Sequence, residues 1–451
     1  MMLSAADAAR QIREGRLTSE ELVQACLERI RALEPKVQAW VFLDEEHALA
    51  QARAADERKR SGQPIGALHG VPVGVKDIFD TADMPTENGT VLHQGRTPRR
   101  DAAAVSMLRA AGAVILGKTV TTECAYFAPG KTRNPHNPEH TPGGSSSGSG
   151  VAVAAGLAPV AIGTDTGGSV RIPAAWCGTV GLKVTAGRIS TYGVLPLSTT
   201  LDTPGPLARS VEDAALIFRV LNGPDPRDPP TLAWTPADPL PELRRGVAGL
   251  RLAVMPEAER TGVAADVLAA YDASVDALTR LGARIVRPAL PHRFSDYAAA
   301  TGRIIGAEGY RFVGHLVDDM SLPVDPHIRP RIQLGRNVSA RDYLLTLAEM
   351  SEHRRQFTTA LAEVDALLTP TAQTAALPID QVDQSGTAAY FTRAGNYLGL
   401  CGLAVPNGFT PAGLPTSLQI LGHAGQEATA LRIGWAYEQA TDWKARRPPA
   451  A

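Results

Sequence analysis

Pro142-Gly-Gly-Ser145-Ser146-Ser147-Gly-Ser149-Gly150 and, further on, Gly163-Thr-Asp165-Thr166-Gly167-Gly168-Ser169-Val-Arg171-Ile-Pro173 set serines on two glycine turns with an apolar insert between them. The glycines of 143–150 allow positive φ and close backbone approach, so this stretch reads as a loop. Val151-Ala-Val-Ala-Ala-Gly156-Leu157 continues it as a small-residue helix or strand edge, and Val160-Ala-Ile-Gly163 reads as a short buried strand. Thr166-Gly167-Gly168-Ser169 is a second tight turn whose successive N–H groups converge, a nest suited to an oxyanion. A Gly/Ser linker would separate regions of different composition. This stretch lies between apolar segments and leads into a second Gly/Ser turn, which points to an active site instead.

At 451 residues, 44% hydrophobic and 20% charged, the chain is long enough to bury one large core. A formal net charge of −1 with dispersed Lys and Arg gives no electrostatic footprint for nucleic acid or a membrane surface. A small substrate that need not be charged fits better. The start, Met1-Met-Leu-Ser-Ala-Ala-Asp7 with Arg10 and Arg13 in a helical pattern, lacks the basic, apolar and cleavage regions of a signal peptide. No run reaches membrane-spanning length, so the expected location is the cytoplasm. Cys26, Cys124, Cys177 and Cys401 are widely spaced without CxxC pairing and read as core thiols.

Around the two turns the chain has an α/β texture. Thr18-Ser19-Glu20-Glu21 caps a helix with Leu22, Val23, Cys26, Ile30 and Leu33 at helical spacing, and Glu45 to Arg60 is a polar-faced helix. These form an N-terminal helical layer over about 1–65. Strands Val71–Val75 and Ala113–Leu116 then flank a helix from Asp101 to Ala111. Pro224 to Pro241 is a Pro/Asp-rich surface connection. Beyond it come strands at 250–254 and 283–286 around a helix at 263–281, a helix at 340–364, strands at 366–369 and 403–406, and a closing helix at 427–440.

Other motifs fail on context. Gly112-Ala-Val-Ile-Leu-Gly117-Lys118-Thr119 matches a phosphate-binding loop by letter, but its Ala-Val-Ile-Leu is itself the strand and the helix precedes it. Gly144-Ser145-Ser146-Ser147-Gly148 matches a nucleophile elbow centred on Ser146, which needs a strand upstream where the chain has Asn134-Pro-His-Asn-Pro-Glu-His-Thr-Pro142. Pro138 interrupts any helix that would align His136 and His140, so both read as solvated loop residues. The remaining histidines, His69, His93 and His423 among them, form no ligand-spaced set; neither metal nor cofactor is expected.

Gly70-Val-Pro-Val-Gly-Val-Lys76-Asp77 places Lys76 at the end of a short apolar strand, where burial would disfavour an ammonium and leave a base. Lys76, the Ser145 loop and the Ser169 turn together resemble the amidase signature family of serine amidohydrolases, from about Leu22 through Trp443 and most densely from Pro142 to Gly181. The resemblance implies one α/β domain spanning 1–451, a twisted mixed sheet covered by helices on both faces. Its signature core would cover about 66–222, a variable substrate-pocket region about 243–400, and a closing strand and helix about 401–443. It further implies that Ser169 is the nucleophile, Ser145 a bridging serine on a cis peptide, and Lys76 the base. The oxyanion hole would be the backbone N–H groups of Thr166, Gly167, Gly168 and Ser169, with Tyr126, Gly144 and Ser146 next to substrate. Ser147 departs from the commoner glycine without touching the reacting side chains. A homodimer would be common for the family.

The roles are chemically consistent. A lysine accepts the serine proton only if neutral beforehand, and from a pKa of about 10.4 neutrality at pH 7 takes about 4.6 kcal/mol. Burial supplies that much. The expected activity is therefore hydrolysis of a small carboxamide. Two alternatives stay open: the glutaminase component of the tRNA-dependent amidotransferase, its A subunit, and a non-catalytic binding member of the same fold. Glu123-Cys124-Ala125-Tyr126-Phe127-Ala128-Pro129 lacks the Phe-Ala-Met-Gly-Ser-type stretch usual in that glutaminase, which favours the free amidase. The pocket walls are expected near Tyr126 to Arg133, Tyr297 to Phe312 and Tyr390 to Tyr397, with Arg303 and Arg311 as candidates to meet a substrate carboxylate.

Overall fold

The computed structural model describes residues 3–383 and 386–449. Met1, Met2, Gln384, Ser385, Ala450 and Ala451, which the sequence reading includes, lie outside the described residues. The strands are β1 (Trp40–Leu43), β2 (Pro72–Lys76), β3 (Val114–Thr119), β4 (Val160–Asp165), β5 (Val180–Lys183), β6 (Thr203–Ala208), β7 (Arg251–Val254), β8 (Arg284–Val286), β9 (Ala366–Pro370), β10 (Cys401–Phe409) and β11 (Pro415–Gly422). They join in one sheet, in the order β1-β3-β2-β4-β6-β5-β10-β11-β9-β7-β8. β2 runs parallel to β3 and β4, and β7 to β8 and β9; the other neighbours are antiparallel.

The period-2 alternation of strand side chains divides the core between the two faces. Val73, Val75, Ile115, Val160 and Ile162 join a cluster with Ala104 and Leu108 of the helix Ala103–Ala110 and with Phe218 of the helix Val211–Leu221. Val114 and Leu116 pack instead with Leu27 and Ile30 of the helix Ser19–Val37 and with Ala48 and Ala52 of the helix Glu45–Arg60. Helices therefore cover both faces of one α/β domain, as expected. The capping box forms as read, with Glu21 N donating to Thr18 Oγ1 at 3.1 Å and Thr18 N to Glu21 Oε2 at 2.8 Å. No helix among the described residues is long and apolar enough to cross a membrane.

The differences have local causes. The helix Ser147–Ala154 begins inside the stretch read as a loop, because Gly148 serves close packing rather than a turn; a Cβ there would collide with the backbone of Ala39 and Val120. β6, Thr-Pro-Gly-Pro-Leu-Ala, is not marked in the sequence, since prolines are disfavoured inside a sheet, although it lies between β4 and β5. The helix Phe294–Asp318 is marked in sequence only as a wall segment, since its alanines and glycines blur the apolar spacing. The N-terminal layer also contributes an edge strand, β1, paired with β3. His136 and His140 are half-buried rather than solvated, and His136 Nε2 lies 3.0 Å from Cys177 O.

Lys118 of the apparent phosphate loop is buried within β3. Its Nζ lies 3.2 Å from Asp77 Oδ1 and donates to Phe79 O and Pro85 O, each at 3.0 Å. Its ammonium is spent inside the fold. Lys118→Met, which leaves Asp77 as an unpaired buried charge, is expected to cost about 3–5 kcal/mol in urea denaturation, and MgATP to leave the wild-type midpoint unchanged. A nucleotide-dependent rise in that midpoint would restore the phosphate-loop reading.

Candidate active site

The parallel strands β3, β2 and β4 end on the same side of the sheet with Thr119, Lys76 and Asp165, the side where ligands gather in α/β sheets. Lys76 is completely buried, with Nζ 2.7 Å from Ser145 Oγ and 2.9 Å from Thr164 Oγ1. Burial pushes its pKa down to about 7, against the smaller opposing pull of the Asp202 and Asp165 carboxylates. The Gly144–Ser145 peptide is cis, and Ser145 O accepts from Thr122 N at 3.1 Å.

Ser169 follows β4 on the turn that Asp165 organises. Asp165 Oδ1 accepts from Gly168 N at 2.8 Å, and Oδ2 from Val170 N and Arg171 N at 3.2 and 3.4 Å. This corrects the expected nest, because the Gly168 N–H is engaged by Asp165. The N–H groups of Thr166, Gly167 and Ser169 make no hydrogen bond among the described residues. Gly168 has φ +138°, and a Cβ there would strike Thr392 Oγ1, which donates to Gly167 O at 2.7 Å. Burial alone would raise Asp165, but the guanidinium of Arg171, with Lys183 and Asn396, holds it at about 2. Arg171 donates through Nη2 and Nε to the two carboxylate oxygens at 2.8 and 3.0 Å, and onward to Gln419 Oε1 at 2.7 Å and Asn396 Oδ1 at 2.6 Å. On the other side Asp202 accepts from Thr166 Oγ1 and from the N–H groups of Leu197 and Ser198, the latter two at 2.9 Å; burial pushes it up to about 6.

Ser169 opens into a cleft whose walls include Tyr126, Gly144, Leu197, Ile305, Arg331 and Arg393. Cys124 and Ala125, at φ 50° and 60°, turn the chain so that Tyr126 enters this wall. Ser146 does not line the cleft. Its Oγ lies 3.3 Å from both Thr164 O and Thr164 N, and a Cβ on Gly163 would touch it at 2.5 Å, so this hydroxyl supports the turn from below. Arg303 lines the adjoining hollow that shares Tyr126, Ile305, Arg331 and Arg393 with this cleft, and Arg311 lies away from both. Arg303 is exposed and reaches Thr346 Oγ1 at 3.2 Å, and Arg311 lies 5.0 Å over the Phe312 ring. The cleft arginines are Arg331, in a segment that sequence reading passes over, and Arg393, inside the wall segment Tyr390 to Tyr397 but not singled out there. Among the described residues no group of three His, Cys, Asp or Glu side chains is placed to hold a metal ion. Cys177 is buried, which pushes its thiol far above the ordinary range.

Residues 21–431 match the family model described as Amidase. The chain belongs to the amidase signature family. It is 39% identical over 474 residues to the A subunit of the glutamyl-tRNA(Gln) amidotransferase of Chloroflexus aggregans, covering 97% of this chain and 96% of the relative. A chain from the solved structure of a vestigial protein complex, described as revealing the evolutionary origins of an s-triazine catabolic enzyme, superposes with TM-score 0.91 at 30% identity, over 97% of this chain and 98% of that one. The native peptide amidase of Stenotrophomonas maltophilia superposes with TM-score 0.87 at 33% identity, over 99% and 98%.

Arg171→Met is expected to destabilise the protein by about 3–5 kcal/mol in urea denaturation, since it strands Asp165 as a buried charge. A change below about 1 kcal/mol would mean that Asp165 is stabilised without Arg171.

Proposed function

We propose that this amidase-family chain hydrolyses a small carboxamide through an acyl-enzyme on Ser169, with Ser145 and Lys76 as the proton relay. The observation that carries the reading is the 2.7 Å contact between Ser145 and a buried lysine whose pKa is pushed down to about 7, next to a cleft that exposes Ser169. Ser169 Oγ attacks the amide carbon while its proton passes to Ser145 and the Ser145 proton to neutral Lys76. The N–H groups of Thr166, Gly167 and Ser169 are the free donors for the oxyanion. The C–N bond breaks as the relay returns a proton to the leaving nitrogen. Water then attacks the ester by the same route, releasing the acid and restoring Ser169.

A second reading is favoured by the curated relatives: the same chemistry acting on glutamine, with the ammonia passed to a partner protein, as their name, the A subunit of glutamyl-tRNA(Gln) amidotransferase, suggests. The two readings separate on substrate and on dependence. The purified single chain is expected to release ammonia from at least one simple primary amide without ATP or partner. Strict dependence on ATP and a partner protein would select the second reading, and no turnover under either condition would leave a binding protein.

Ser169 is expected to carry the label from a fluorophosphonate, located by mass spectrometry; label on Ser146 instead would restore the nucleophile elbow. Lys76→Ala should lower kcat by about 10²–10⁴. Its loss should not add to those of Ser145→Ala and Ser169→Ala, because the three act as one unit. Since only neutral Lys76 accepts a proton, kcat/KM should fall as pH drops through about 7. A profile flat to pH 5 would remove Lys76 from the mechanism.

A further inference from the structure

We propose that Arg29 and Arg209 form a second ligand site, at the end of the sheet remote from Ser169, which takes a small organic acid: a carboxylate on an apolar body. The inference does not rest on the amidohydrolase reading. β4 and β6 pair antiparallel, with Asp165 opposite Thr203 at the Ser169 end and Val160 opposite Ala208 at the other. The span from Val160 to Asp165 is about 17 Å at the usual strand rise. A hollow at the far end is walled by Leu22 and Leu33 of the helix Ser19–Val37, by Ala158 and Pro159 before β4, and by Arg29 and Arg209. Each arginine brings it a buried donor that nothing accepts. Arg29 donates through Nε to Ala155 O at 2.7 Å, yet its Nη2 has no hydrogen-bond partner among the described residues, and neither has Nη1 of Arg209. Arg188 Nε is similarly unbonded, but Glu427 Oε2 stands 3.4 Å from it, whereas no carboxylate lies within ion-pair distance of Arg29 or Arg209 among the described residues.

Buried donors are nearly always satisfied, and two unsatisfied ones on neighbouring cations call for an anion. The charges act on one another. Burial first, then the charges of Arg447 and Arg29, push Arg209 down to about 10 against the pull of Asp213, so it is still protonated at neutral pH. Burial also lowers Arg29. The acids nearby are engaged otherwise. Asp213 Oδ1 accepts from Ala6 N at 2.9 Å, and Glu28, the one acid among the described lining residues, is exposed and accepts from Gln24 Nε2 at 3.2 Å. Cys26 lines the hollow too, but burial pushes its thiol up to about 12, so it supplies no thiolate there. Water would satisfy the donors and leave the positive charge uncompensated. An inorganic anion would compensate the charge and leave the apolar walls wet. A carboxylate fits the guanidinium forks, and the carbon body behind it covers the walls, the usual division between orienting polar groups and apolar lining in a ligand pocket.

Isothermal titration calorimetry of the purified chain with hexanoate, acetate, 1-hexanol and inorganic phosphate tests the site. Hexanoate should bind at least about tenfold more tightly than each of the other three. R209Q should weaken hexanoate by at least about tenfold, since a charge-assisted donor is lost. A32E, at an exposed helix position on the same hollow, puts a fixed carboxylate one turn from Arg29 and should weaken hexanoate likewise; it serves if R209Q does not fold. Equal binding of 1-hexanol would reduce the site to an apolar hollow, and equal binding of acetate or phosphate would remove the apolar body from the ligand; either result overturns the inference. Hexanoate that binds the wild type and both variants alike lies elsewhere, the Ser169 cleft included, and overturns it as well. No hexanoate binding at all would overturn it and leave water as the partner of the two guanidiniums. None of these outcomes bears on hydrolysis at Ser169, which the ammonia-release and labelling experiments decide separately.

Discussion

The buried pair of Asp165 and Arg171 is the constraint on which the site depends. Asp165 ends β4 and draws in the N–H groups of Gly168, Val170 and Arg171, which bends the chain back over its own carboxylate. That choice of donors leaves the N–H groups of Thr166, Gly167 and Ser169 unspent. Through Gln419 and Asn396, Arg171 also ties the turn to β11 and to the helix Thr392–Tyr397. A buried ion pair contributes little net stability over an apolar replacement, because desolvation offsets the attraction. Here its effect is geometric, fixing one turn against three elements.

The same principle of partner chemistry singles out Lys76 among the buried lysines. Burial lowers Lys76, Lys118 and Lys183, to about 7, 8 and 7. A low pKa therefore does not identify the base. Lys183 donates to the carbonyls of Val184 and Leu400, both at 2.8 Å, and Lys118 donates to two carbonyls and the Thr86 hydroxyl beside the Asp77 carboxylate. Carbonyls and a paired carboxylate hold a lysine in place but have no proton to relay. Lys76 is bonded to the hydroxyls of Ser145 and Thr164, which both give and accept. Lys118 also meets a hydroxyl, but its ammonium is paired with Asp77, whereas Lys76 has no carboxylate within ion-pair distance among the described residues.

What could be read from sequence follows from which signals are local. The capping box at Thr18, the helix Glu45–Arg60 and the apolar strands β2, β3, β4 and β7 announce themselves through spacing within a few residues. Glycine turns and a lysine at a strand end are also local, so Lys76, Ser145 and Ser169 could be singled out. The rest depends on contacts between distant segments. Gly148 looks like loop chemistry until Ala39 and Val120 are packed against it, and β6, with its prolines, is unmarked until β4 and β5 flank it. The occupied Gly168 N–H is invisible without the Asp165 side chain. Nothing in the sequence marks Arg331 and Arg393 as neighbours of Ser169; only the fold brings them to the same cleft.

Part of the cleft wall comes from a stretch of chain remote from the two glycine turns, and the rest, Tyr126 and Gly144 among it, from the same region as Ser145 and Ser169. Lys76, Ser145 and Ser169 hang on β2, β4 and the two glycine turns, whereas Ile305, Arg331 and Arg393 come from helices between residues 294 and 397. Two contacts tie the helix Thr392–Tyr397 to the turns: Asn396 meets Asp165 and Arg171, and Thr392 meets Gly167. Thr392, adjacent to Arg393, donates to Gly167 O and fixes the carbonyl end of a peptide in the nucleophile turn. Arg393 therefore stands one residue from a hydroxyl that holds the turn bearing Ser169. A displacement of that helix would carry the Gly167 carbonyl with it, so this wall of the cleft and the turn bearing Ser169 share one geometry.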